Sequence, residues 1–174
     1  MTYYYEVTLY PVWNETIEDI SDFKVAVDED GAFVIDGYRG DALTVETLNI
    51  PEGITELDLN SLSSGYFPNL KLIHIPAEVT NIIFPETMSA YPALEAFGVS
   101  RENTCYMDVA GMLYNKPGTV LLRVPPVLKS PITWSKYAMG IDGYAFKGIT
   151  MSELVLPNSI HKLEDYAFLD CKIG

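Results

Sequence analysis

The sequence predicts an α/β-type repeat solenoid built mostly of short parallel strands and irregular turns. Two observations carry that reading. First, SPITWSKYAMGIDGYAFKGI (130–149) returns as SELVLPNSIHKLEDYAFLDC (152–171) at an offset of 22 residues, 154 minus 132. Ile132 and Trp134 fall on Leu154 and Leu156, Ala138 on Ile160, Ile141 on Leu163, and Tyr144, Ala145 and Phe146 on Tyr166, Ala167 and Phe168. Second, Pro51, Pro76 and Pro157 each follow a short alternating apolar stretch. Proline cannot donate to a strand ladder, so pairing ends there and the chain turns. A unit this small cannot bury its apolar face alone, so successive units must stack.

Along the chain, the Tyr3–Tyr5 run opens a strand, since aromatic residues favour strands. Residues 14–44 supply lead-in strands, and VDEDGAFVIDG (27–37) reads as a hairpin turn between two of them. A calcium loop fits this stretch poorly. With Gly31 as the loop glycine, Asp28 and Asp30 take ligand positions, but the first ligand would be Ala26 and the closing glutamate Gly37.

The repeat array occupies 45–174. Ile50, Ile54 and Leu57 share a phase with Ile75, Val79 and Ile82, while Leu70, Ile73 and Ile75 align with Leu94, Phe97 and Val99, and with Met151, Leu154 and Leu156. A hairpin insertion at about 101–129 interrupts it, with two apolar strands around Lys116-Pro117-Gly118. Pro117 and Gly118 suit the two central positions of a type II turn. The register makes Phe146 and Phe168 equivalent buried residues one coil apart, and sets Ile173 on Met151, so that the chain stops as a unit begins.

Composition excludes several functions. The formal charge is -13, with 14 acidic and 2 basic residues in 1–60 against 10 and 9 in the rest. Such a chain offers no basic face for nucleic acid. No apolar run approaches the roughly 20 residues of a membrane helix, so no membrane insertion is expected, and the N-terminus lacks the pattern of a signal peptide. Cys105 and Cys171 form no disulfide framework and have no metal-ligand spacing. His74 and His161 occupy non-equivalent repeat positions, and no nucleophile elbow, phosphate loop or zinc spacing occurs. The expectation is a protein with no catalytic residues, no metal and no cofactor.

LVLPNSIHKLEDYAFLDC resembles the BspA-like leucine-rich repeat of bacterial cell-surface proteins, whose units run from a strand through Pro and Ser-Val/Ile to Ala-Phe and Cys. FVIDGYRGD (33–41) is similar to the lead-in strand of such arrays. LYNK followed by LLRVPP resembles the family's hairpin insertion, although Val109 and Ala110 separate Asp108 from Gly111. Residues 1–13, ending in LYPVW, are similar to the last strand of a β-grasp-type repeat found in bacterial surface proteins. The resemblance implies a right-handed leucine-rich-repeat solenoid and a packing role for Cys171. It also implies an extracellular or cell-surface binding module for adhesion or host interaction, with a protein or glycan ligand. The alternative is a structural spacer within a larger surface protein. Outward strand positions define the expected partner-binding surface: Leu72, His74, Ala96, Gly98, Thr133, Glu153 and Val155. No polar capping unit closes the array, so self-association through the C-terminal end is also expected.

Overall fold

Alternating apolar residues form the first two strands, β1 (Phe23–Val27) and β2 (Phe33–Tyr38), an antiparallel pair. The computed structural model describes residues 22–62, 65–127 and 132–174; the reading of residues 1–13 lies outside them. Between β1 and β2, Asp28 Oδ1 accepts from the N–H groups of Asp30 and Ala32 at 2.9 and 2.8 Å, and Gly31 takes a left-handed φ of 83°. This stretch is the hairpin turn that was expected.

Next come β3 (Thr47–Asn49), β4 (Glu56–Asp58), α1 (Leu59–Leu62), β5 (Leu72–Ile75), β6 (Asn81–Ile83) and β7 (Ala96–Val99). Together with β1 and β2 they form two sheets, ordered β1-β2-β4-β6 and β3-β5-β7, parallel from β2 onward. Leu57 pairs with Ile82, Ile73 with Phe97 and Ile75 with Val99, as the repeat phase requires. Leu48, Ile73 and Phe97 stack at spacings of 25 and 24 residues, 73 minus 48 and 97 minus 73. Their inward side chains share one core with Leu57, Phe67, Leu70 and Leu94. β5 ends at Ile75, directly before Pro76.

The insertion is a three-stranded antiparallel meander, β8 (Tyr106–Val109), β9 (Met112–Asn115) and β10 (Val120–Arg123). Ala110 and Gly111 make its first turn at φ 51° and 83°, the two left-handed residues that a type I′ hairpin needs. The second turn differs from expectation. The Gly118 N–H donates to Asn115 O at 2.8 Å, so Lys116 and Pro117 are its central residues, and Gly118 follows at φ 69°. Asn115 closes this turn, its Oδ1 accepting from the N–H groups of Thr119 and Val120, each at 2.9 Å.

This meander ends the first block. Two N–H groups on the outer edge of β7 are satisfied by it: Phe97 donates to Gly111 O at 2.9 Å and Val99 to Asp108 Oδ1 at 3.0 Å. Buried Asn103 ties the approach to it, donating to Pro76 O and Val79 O, both at 2.8 Å, and accepting from the N–H groups of Cys105 and Tyr106. On β9 the period of two sends Leu113 into the first core, while Met112 and Tyr114 enter a second.

The second block contains β11 (Gly140–Ile141), β12 (Thr150–Met151), β13 (Lys162–Leu163) and β14 (Lys172–Ile173). β10, β11 and β13 run parallel, as do β12 and β14; Ile141 pairs with Leu163 and Met151 with Ile173. The turns also repeat: Tyr144 and Tyr166 take φ 61° and 63°, and Gly148 and Asp170 take 72° and 57°. Arg123 clasps the two blocks. Its buried guanidinium donates to Leu122 O and Gly143 O and lies 4.6 Å from the centre of the Phe84 ring; burial lowers its pKa.

Three expectations need correction. The solenoid, of about six turns, is a β-solenoid and not α/β: α1, with four residues, is the only helix among the described residues. Most connections between strands are short, and a longer one between β6 and β7, residues 84–95, carries Pro85 and Pro92, which a helix interior does not tolerate. Residues 154–156 form no strand, and Val155 is 68% exposed. Residues 132–134 of the preceding coil are not a strand either, and the Val155 carbonyl accepts instead from the Trp134 indole at 3.0 Å. Phe146 is fully buried, but Phe168, stacked on it at 4.9 Å between ring centres, is only half-buried because no further coil lies over it within residues 22–174.

Candidate functional site

Side chains alternate across a strand, so the residues flanking Ile73 and Phe97 point away from the core. Leu72 pairs with Ala96 and His74 with Gly98, which brings four of the expected surface residues together on the outer face of β3-β5-β7. Thr47 pairs with Leu72 and Asn49 with His74 and extend the same two columns. These two residues were missed, although Asn49 stands before Ile50-Pro51 as His74 stands before Ile75-Pro76. Thr133, Glu153 and Val155 are exposed but belong to no strand, so they lie outside this sheet and the expected seven-residue surface is divided.

The face is low along β7. A side chain at Gly98 would meet Leu72 Cδ1 at 3.3 Å and His74 Cδ2 at 3.6 Å, so these two residues lean over the glycine. Beside it, the Ala110-Gly111 turn presses on Ala96: a Cβ on Gly111 would come within 2.9 Å of the Ala96 Cβ. On the rim, Lys71 Nζ meets Glu46 at 2.8 Å; that hydrogen bond and the carboxylate charge raise the lysine pKa. The arrangement offers an imidazole, an amide, a hydroxyl and apolar contact in fixed register.

His161 is not on this face; it stands next to β13, a strand of another sheet, with Nδ1 2.8 Å from Ser159 O. Among the described residues no group of three or more His, Cys, Asp or Glu is gathered that could hold a metal ion, and no helix is long and apolar enough to cross a membrane. Cys171 packs half-buried against the second core, and burial raises its thiol pKa. The C-terminal end exposes Leu163, Tyr166, Leu169 and Ile173.

No protein-family model matches the sequence, and no curated protein matches it. Among solved structures, the fold is similar to that of a leucine-rich repeat protein from Eubacterium ventriosum. The TM-score is 0.51 and the identity 16%, covering 86% of this chain and 61% of that one. The chain therefore spans about three-fifths of that protein's length. The pneumococcal vaccine antigen PcpA aligns over 83% of this chain and 51% of its own, with a TM-score of 0.37 and 14% identity. From its stacked parallel strands and this likeness, the chain folds as a leucine-rich-repeat-type solenoid.

Proposed function

We propose that the chain is a non-catalytic cell-surface binding module, acting in adhesion or host interaction, that presents the outer face of β3-β5-β7 to a protein or glycan partner. The observation that supports this most is the in-register set Thr47, Asn49, Leu72, His74, Ala96 and Gly98 on one rigid sheet face. Fixed side chains on a sheet bind without paying to order a loop. The cell-surface assignment rests on the resemblance of the repeat unit. A structural spacer is the second reading, favoured by the shallow relief at Ala96 and Gly98. A glycan array and a pull-down from host-cell surface extract, each run with the wild type and with Leu72→Asp/His74→Asp, separate the two. A captured partner lost in the double variant supports the module. A wild type that binds nothing above background, or a variant that binds equally well, overturns it.

A further inference from the structure

We infer that the outer side of the β10-β11-β13 sheet carries a separate binding site for a carboxylate-bearing glycan. Thr119, Met139 and His161 stand immediately before β10, β11 and β13, one per coil. The Met139 N–H donates to Thr119 O at 2.8 Å and the His161 N–H to Met139 O at 3.0 Å, so the three residues are stacked by the sheet itself. They help line a cleft of about 570 Å³ that Lys136, Tyr137 and Ser159 also border. A smaller depression of about 240 Å³ continues past the same three residues to Lys162. The larger volume lies in the roughly 300–1,000 Å³ range of small-ligand sites.

Charge points to an anion. The chain carries 24 acidic and 11 basic residues, yet no residue lining either hollow is acidic, and the lining includes Lys136, His161 and Lys162. Lys162 is paired with Glu164, which leaves Lys136 as the donor suited to a carboxylate. Because a carbonyl can only accept, the contact between His161 Nδ1 and Ser159 O places a proton on Nδ1 and leaves Nε2 of the neutral ring to accept from a ligand hydroxyl.

The remaining groups fit a sugar. The Ser159 hydroxyl can both donate and accept, as sugar hydroxyls require, whereas the Thr119 hydroxyl is held by the Asn115 side chain, which donates to it at 3.0 Å. Tyr137 and Met139, 56% and 45% exposed, provide apolar surface for the C–H face of a pyranose ring. Capture of a peptide main chain needs an unpaired strand edge. Of β10, β11 and β13, only β13 has such an edge, on its far side; between the three stacked residues the N–H groups of Met139, Gly140, His161 and Lys162 are donated within the sheet, so recognition in the cleft falls to side chains.

This site lies on a different sheet from Leu72 and His74 and does not depend on the face proposed above. Calorimetric titration of the full chain with tetragalacturonate, a hyaluronan tetrasaccharide, maltotetraose and tetraglutamate tests it. We expect at least one acidic oligosaccharide to bind and maltotetraose not to. Lys136→Gln and Met139→Glu, both at exposed positions, should each weaken that binding by about tenfold, and Leu72→Asp should leave it unchanged. The inference is overturned if neither acidic oligosaccharide binds, if maltotetraose or tetraglutamate binds as tightly, or if both cleft variants bind like the wild type.

Discussion

Ala110 takes φ 51° in the first turn of the meander, a conformation in which an L side chain crowds the following carbonyl at a cost of roughly 1–2 kcal/mol. Glycine escapes that cost but loses more chain entropy on folding. Ala110→Gly is therefore expected to raise stability by about 0.5–1 kcal/mol, read as a higher urea midpoint at unchanged slope. Gly111→Ala should move the midpoint the other way, because its new Cβ would sit 2.9 Å from that of Ala96. The sequence showed Val109 and Ala110 between Asp108 and Gly111; that the pair Ala110-Gly111 forms the turn became clear only from the backbone. Asn103 illustrates a different limit. Its amide joins Pro76, Val79, Cys105 and Tyr106, and a single asparagine in a polar stretch gives no sequence signal of that role.

At the scale of the coil, the 22-residue repeat brings Phe146 and Phe168 into one stack, but burial separates them. Phe146→Ala should cost about 3–5 kcal/mol, as for a fully buried ring, and Phe168→Ala roughly half as much. Denaturant melts of the two variants check the difference; equal losses would contradict the half-buried placement of Phe168. The strand registers were legible in the sequence because each rests on apolar residues one coil apart, such as Ile73 with Phe97 and Ile141 with Leu163. The missing strand at 154–156 was not legible. LVLP and LIHIP have the same alternation, but only the second lies between two partner strands, β3 and β7.

For the molecule as a whole, three tyrosines record how the cores are closed. Burial raises the phenol pKa of Tyr91, Tyr106 and Tyr114 above the ordinary value of about 10, and Tyr91 also donates to Leu59 O at 2.8 Å. Near pH 10 the unfolded chain loses these protons while the folded chain keeps them. Their contribution is fully present below pH 10 and is lost as the pH rises toward the folded values. The expected outcome is a stability that falls above pH 10, by up to about 1.4 kcal/mol per pH unit for Tyr91 and by less for the half-buried Tyr106, where solvent screens the phenolate. Urea melts between pH 9 and 11.5 measure it, and Tyr91→Phe should flatten the slope while lowering stability at pH 9 through loss of its hydrogen bond.

The sequence alone determined the repeat phase, the pairing partners of the inward residues and the strand stop at Pro76, because each depends on side-chain polarity at a regular spacing or on proline chemistry. The tertiary structure decided where pairing breaks and which residues share a face. The β3-β5-β7 sheet ends where Gly111 and Asp108 take the free N–H groups of β7, and the two blocks are clasped where Arg123 reaches Phe84 and Gly143. Thr119 joins Met139 and His161, which the 22-residue register already sets on each other (161 minus 139), only when the last meander strand stacks with the two repeats on one sheet. These contacts join residues distant in the chain through particular hydrogen bonds and close packing, and no periodicity of polarity encodes them.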